Sequence, residues 1–334
     1  MLKEKIGQML LIGFKGTDLS PEASIVKAIQ ERKIGGVILF ASNIQNPSQA
    51  KQLTQELRHH AKEASLDPFF IGIDYEGGTV DRLDQKPGFM PTLSAAEIGQ
   101  LSYEQAMQSA EQMADTLNQL NINLNFAPVV DVNVNPENPI IGKRGRSFSN
   151  DPKKVAEYAA IFSRAYQQRG IISTFKHFPG HGSSTGDTHL GFVDVTNTWQ
   201  EEELEPYKQL LPQADRFSMV MTAHVVHSGL GPDGYPASLS AKMNQGILRN
   251  KLNFKGVVVT DDLQMRAITD NYKLADAVVL AANAGADLLI FGNQLSESPQ
   301  DPEEIIDIIY KAVMAGRIPE SRIEEAYRRI IALK

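Results

Sequence analysis

The chain has 334 residues, 42% hydrophobic and 22% charged, with a formal net charge of −7 and no cysteine. That acidic balance, with no run of lysine or arginine, excludes the concentrated basic surface a nucleic-acid partner needs. The lack of cysteine excludes a disulfide framework, a thiolate nucleophile and a cysteine-based zinc site, and fits a reducing compartment.

The first segment, "MLKEKIGQMLLIGFKG", has a basic patch and a short apolar run without a small-residue cleavage site, so no signal peptide is expected. No stretch reaches the roughly 18 apolar residues of a membrane-crossing helix, which predicts a cytoplasmic chain without a membrane partner. Short apolar runs then recur along the chain: "QMLLIGF", "GGVILF", "FFIGID", "LNFAPVVDV", "ISTFKHF", "SMVMTAHVV", "GVVVTDD" and "ADLLIFG". Amphipathic stretches separate them, among them "SQAKQLTQELRHHAKEA", "YEQAMQSAEQMADTLNQL" and "DPKKVAEYAAIFSRAYQQRG". Asn46-Pro47, Asp151-Pro152 and Asp301-Pro302 mark helix starts, a polar cap followed by a residue whose missing N–H costs nothing there.

Continuous apolar strands alternating with helices predict a parallel sheet covered on both faces. Eight such units fit a single closed (β/α)₈ TIM barrel, an α/β fold, with residues 1–334 as one domain. The competing open sheet with a dinucleotide site would carry GxGxxG after its first strand, where this chain reads "GFKGTDLS". Polar residues then gain meaning from their places. Asp74, Asp131, Lys176, His177, His224, Asp261 and Asp262 all fall at the C-terminal ends of predicted strands, the face on which barrel active sites form.

Four stretches carry the candidate chemistry. In "GVVVTDDLQM", Asp261 is a nucleophile or base at the barrel mouth and Asp262 a capping or supporting residue opening the next helix; both could also simply be helix caps. In "IDYEGGTVDRL", Asp74, Glu76 and Arg82 flank a Gly-Gly turn and can bracket the hydroxyls of an uncharged polar ligand, or form a salt-bridged surface loop. In "NPIIGKRGRSFSNDP", Arg146 is a ligand contact or part of a solvated basic loop. In "KHFPGHGSSTGDTH", metal ligation, a structural loop and a catalytic dyad all stay open. The Gly-Ser turn chemistry sets up no i, i+4 ligand pair, which disfavours a metal. Asp187 and His189, two apart in an extended loop, would point the same way and could hydrogen bond.

Together "DYEGG…R", "IGKRGRSFSNDP", "KHFPGHG…DTH" and "VVVTDDLQM" resemble the β-N-acetylglucosaminidases of glycoside hydrolase family 3, more narrowly the type that serves peptidoglycan recycling. The resemblance runs from the first strand to the last. It implies a barrel catalytic domain, a retaining double displacement, Asp261 as nucleophile and His189 as acid/base assisted by Asp187. It also implies that Asp74, Arg82, Arg146, Lys176 and His177 hold the terminal N-acetylglucosamine. No cofactor and no metal are implied. The expected partner is a small carbohydrate, an N-acetylglucosamine-containing muropeptide, acted on by a monomer. A family 3 β-glucosidase or β-xylosidase is the alternative, a metal-dependent barrel hydrolase a more distant one.

Two departures stand out. Many relatives read "EGGRV" where this chain has Thr79, and many have a shorter "IGxRSF", so Arg144 and Arg146 both become possible sugar contacts. The chain ends in a helical stretch, "RIEEAYRRIIALK", as the single-domain cytoplasmic relatives do. A neutral imidazole as acid/base would also not repel an anionic acceptor such as phosphate. A Gly-Ser loop carrying it predicts that residues 180 to 189 fold over the substrate.

Overall fold

The computed structural model describes residues 1–214, 217–294 and 299–333. Each predicted apolar run contributes one barrel strand: β1 (Leu10–Gly13), β2 (Gly36–Leu39), β3 (Phe70–Ile73), β4 (Leu124–Asn125), β5 (Ile172–Phe178), β6 (Ser218–Thr222), β7 (Val258–Asp262) and β8 (Leu288–Phe291). Every strand pairs in parallel with the next, and β8 closes on β1 through Leu10–Leu289 and Ile12–Phe291. The expected (β/α)₈ barrel is therefore the fold. β1, β2, β3 and β8 are buried along their whole length, because helices cover the barrel outside and side chains fill it inside.

The helices follow their sequence signals. Asn46, Asp151 and Asp301 accept hydrogen bonds from the amides of Gln49, Lys153 and Glu303, each with proline next in the chain. On the helix Tyr103–Gln119, the face formed by Ala106, Ala110, Met113, Ala114 and Leu117 is buried. Its small residues let it approach the helix Pro152–Gln167 closely. Among the described residues no helix is long and apolar enough to cross a membrane.

Two apolar runs are shorter as strands than they read. β4 stops at Asn125, and the chain to Asp131 continues with a single bridge from Val129 to Lys176. β6 stops at Thr222, and Val225–Val226 leaves the barrel to pair with Val193–Asp194 beyond the histidine-rich loop. That departure strands His224 at the barrel mouth.

Candidate active site

The first cluster grows from β3. Past Asp74 the chain makes a short hairpin, Tyr75–Gly77 against Val80–Asp81. Gly77 sits at φ 92°, and a Cβ there would lie 2.2 Å from the Leu93 carbonyl, so only glycine fits. The hairpin returns Arg82 over Asp74, whose Oδ2 accepts from Arg82 Nη2 at 2.9 Å. From β5, Lys176 Nζ donates to Asp74 Oδ1 at 2.9 Å and to Glu76 Oε1 at 2.6 Å. Arg146 completes the set with a bidentate pair to Glu76, Nε to Oε2 and Nη2 to Oε1, both 2.8 Å.

Burial alone would push these carboxylates up. The cations outweigh it: Lys176 and Arg82 hold Asp74 far below the usual carboxylate range, and Arg146 and Lys176 hold Glu76 below it. Reciprocally, burial would lower Lys176, yet Asp74 and Glu76 raise it.

His177 follows Lys176 directly, and the register between β5 and β6 shifts from Phe175 to Phe178, which lets consecutive residues both reach the cleft. Asp131, fully buried, clamps this turn. Its Oδ2 accepts from His177 Nδ1 at 2.6 Å, and its Oδ1 accepts from the amides of His177 and His181 at 3.1 and 2.8 Å. With its Nδ1 proton given to Asp131, His177 turns Nε2 toward Arg146 Nη2, 3.4 Å away.

Asp261 lies at a bulge. The β7–β8 register shifts between Val259 and Asp262, and the freed Ile290 amide donates to Thr260 Oγ1 at 3.2 Å instead. The bulge delivers Asp261 into the cleft, with its Oδ1 accepting from the Asp262 amide at 2.8 Å. Burial works against ionisation, but His224, His177 and His189 outweigh it and keep the Asp261 carboxyl below its ordinary value. His224 fixes the same backbone: its Nε2 donates to the Asp262 carbonyl at 2.8 Å and its Nδ1 accepts from Ser238 Oγ at 2.7 Å.

Asp262 departs from its expected role. The following helix begins only at Arg266, with Met265 at its cap. The Asp262 carboxylate instead closes a tight turn, accepting from the Gln264 amide at 3.0 Å. Gly292 makes room for it, since a Cβ there would sit 2.4 Å from Asp262 Oδ2. Burial raises the Asp262 carboxyl to about 7.

The three histidines of the glycine-rich segment occupy three different settings. His177 belongs to the cluster above. His181 is buried with both ring nitrogens unpartnered among the described residues, edge-on to His177 at 5.9 Å, and burial lowers it to about 4. His189 is exposed, and its Nδ1 and its amide both reach Asp187 Oδ1, at 2.8 and 2.9 Å. The pair forms in a turn closed by the Leu190 amide on the Asp187 carbonyl, not along an extended strand as the spacing suggested. No group of three or more histidine, aspartate or glutamate side chains among the described residues is placed to hold a metal ion.

A cleft of about 330 Å³ gathers these elements, lined by Asp74, Arg82, Arg146, Lys176, His177, His189 and Asp261. Asp187 joins it through His189. The glycosyl hydrolase family 3 N-terminal domain model matches residues 1–333. The chain belongs to glycosyl hydrolase family 3.

Relatives extend the match. A β-hexosaminidase A from Pseudoalteromonas piscicida is 33% identical over 95% of this chain and 56% of its own length. A β-hexosaminidase from Haemophilus influenzae is 37% identical over 85% of this chain and 79% of its own. Among solved structures, a family 3 β-N-acetylglucosaminidase from Paenibacillus sp. str. FPU-7 superposes with a TM-score of 0.92 at 36% identity, over 100% of this chain and 62% of that one. A β-N-acetylhexosaminidase from Beutenbergia cavernae gives 0.88 at 30% identity, over 99% and 98%. This chain thus spans little more than half of the Pseudoalteromonas relative.

Within this family 3 barrel the two sequence departures touch: Thr79 Oγ1 donates to the Arg144 carbonyl at 3.2 Å. Arg144 and Arg146 both line the cleft, but only Arg146 is buried and ion-paired. Sequence reasoning missed what Asp131, Glu76 and Glu203 do. Glu203, also fully buried, accepts from the amides of Gly182 and Ser183 at 3.0 and 3.2 Å and so fastens the base of the histidine-rich loop.

Proposed function

We propose that this chain is a retaining β-N-acetylglucosaminidase, a β-hexosaminidase that removes terminal non-reducing β-linked N-acetylglucosamine from peptidoglycan fragments. The observation that carries the reading is the convergence on one cleft of an ionised aspartate and a carboxylate-paired histidine. The similarity to β-hexosaminidases and to a β-N-acetylglucosaminidase supports the N-acetylglucosamine preference; the peptidoglycan source rests on the motif resemblance.

In this mechanism Asp261 attacks C1 while ionised and forms a glycosyl ester. Asp187 accepts a hydrogen bond from His189 Nδ1–H, which stays on the ring, and the protonated imidazole gives its Nε2 proton to the departing oxygen as the C1–O bond breaks. His189, now neutral, takes a proton from water. The hydroxide equivalent adds to C1, the ester bond breaks and Asp261 returns as carboxylate, with the β-configuration kept. Asp74, Arg82, Arg146, Lys176 and His177 hold the sugar hydroxyls through donors and acceptors in which every cation already meets a carboxylate, a fit to an uncharged sugar.

The test is to trap the intermediate with a fluorinated glycosyl donor and locate it by peptide mapping. The adduct is expected on the peptide holding Asp261; a label elsewhere, or none alongside normal turnover, overturns the assignment. Assaying nitrophenyl β-glucoside and β-xyloside beside the N-acetylglucosaminide decides between this activity and the other family 3 specificities.

A further inference from the structure

Four cationic side chains line the cleft. Arg82, Arg146 and Lys176 each meet a carboxylate, at 2.9, 2.8 and 2.9 Å. Arg144 alone of the four has no ion pair among the described residues. Its backbone is nonetheless firmly held. The Arg144 carbonyl takes the Thr79 hydroxyl at 3.2 Å, and the neighbouring amides of Lys143, Gly145 and Arg146 donate to Asn138, Gly142 and Ile141 at 2.9, 3.0 and 3.1 Å. The result is a fixed stalk that presents an exposed guanidinium at the cleft rim.

The position of that guanidinium is informative. Arg144 and His189 are both exposed and both line the cleft, whereas Lys176 and Arg146 are buried within it. Asp187 holds His189, which faces the glycosidic oxygen in the mechanism above. Arg144 therefore stands on the leaving-group side of the scissile bond. Each cation of the sugar-binding floor already meets a carboxylate, so the floor has less to offer an anion than the rim. The rim offers an unmatched fork of N–H donors, the geometry that pairs with a carboxylate.

We propose that Arg144 is a specificity-determining residue that selects leaving groups bearing a carboxylate over neutral ones. The inference rests on the glycosidase reading and deepens it, since it names the chemistry of the group expelled. In a peptidoglycan fragment that carboxylate can belong to the ether-linked acid of the leaving sugar or to the peptide attached to it.

The experiment uses the full chain and three disaccharides joined by the same β-1,4 linkage. One expels N-acetylglucosamine, one expels N-acetylmuramic acid, and one expels N-acetylmuramic acid extended by a single alanine. Arg144→Gln is expected to lower kcat/KM on the carboxylate-bearing substrates about tenfold or more, while the neutral disaccharide changes by less than about twofold. Arg144→Lys is expected to keep part of the preference, and added salt to shrink it in the wild type. A larger loss on the alanine-extended substrate assigns the peptide carboxylate; a larger loss on the simple acid assigns the sugar ether. Equal losses on neutral and acidic substrates, or none on either, overturn the inference while leaving the glycosidase reading in place. If the wild type cleaves none of the three, the glycosidase reading fails first and the inference with it. Arg144 is exposed, so unchanged melting temperatures are expected and report that the variants fold.

Discussion

The cleft floor and the turn that carries His189 make an instructive pair. Lys176 and Arg146 on the floor are 2% and 7% exposed, and each of their charges is matched by a carboxylate. His189 has a side chain 48% exposed and, among the described residues, one polar partner, Asp187, with Leu190 and Phe192 exposed beside it. The difference follows from what each has to do. A group that reads the shape of a sugar gains from being immobile, because binding then orders nothing further. A group that must exchange protons with a leaving group and then with water gains from access.

The ties also limit where the loop can move. Asp131 holds the His181 amide, Glu203 holds Gly182 and Ser183, and Asn135 Nδ2 donates to the Ser184 carbonyl at 3.0 Å. These ties run against the expectation that residues 180 to 189 fold over the substrate as one unit, because residues 181 to 184 are held in place. Beyond them the Thr188 carbonyl accepts from the Ala267 amide at 3.1 Å, which links the His189 turn to the segment after Asp261.

The largest expected effect belongs to the fixed side. Asp261→Asn removes the proposed nucleophilic carboxylate without changing its shape, and turnover should fall by roughly three to five orders of magnitude on every substrate. His189→Ala should separate substrates instead. Its loss is about a hundredfold or more with an unactivated sugar leaving group, and much less with nitrophenol, which departs without a proton. Steady-state kinetics on both substrate classes check the pair. A uniform loss in the His189 variant would remove the acid role and with it the contrast drawn here.

The next effect is on stability. Lys176→Met leaves Asp74 and Glu76 buried with one cation fewer each, and stripping one partner from a buried pair costs about 3–5 kcal/mol. Denaturant unfolding should register that loss. Asp187→Ala, on the half-open turn, should hardly change unfolding while lowering turnover on unactivated substrates. If both variants unfold alike, the rigid floor is no different from the turn.

How much of this could be read from the chain alone differs between the same two regions. Barrel strands were legible because burial on both faces removes the polar half of the usual alternation, so "GGVILF" and "ADLLIFG" read as unbroken apolar runs. Strand-end residues such as Asp74, Lys176 and Asp261 were legible because the barrel topology sends all eight strand ends to one face. The partners were not. Asp131 was legible as a strand-end residue, but its contact with His177 is one that no period encodes. Glu203 sits in "EEEL" with exposed Glu201 and Glu202, and composition alone makes all three look solvated. The turn around His189 was half legible: the Asp187–His189 pairing was expected, but it arises from a turn geometry that Gly and Ser permit without specifying.

The smallest expected effect is a pH dependence rooted at the boundary between the two regions. Glu203 is buried with no cation beside it among the described residues, and burial raises its carboxyl from 4.5 to about 7. In the unfolded chain the group releases its proton near its ordinary value, so between about pH 4.5 and 7 the folded state binds more protons than the unfolded one. Stability from this group is therefore full below that window, falls as pH rises through it and levels off above about 7, by on the order of 3 kcal/mol at most. Asp74 and Asp131 act in the opposite sense, since their carboxyls are depressed and their contribution is lost in acid. Glu203→Gln removes only the Glu203 share of the first trend, to which Asp262, also raised to about 7, contributes in both proteins. Its melting temperature should gain on the wild type as pH rises from 5 to 8, while both still lose stability together below the ordinary carboxylate range. Melting curves that stay parallel from pH 5 to 8 would mean that Glu203 is charged and solvated like its two neighbours, and that the base of the loop is not fastened from below.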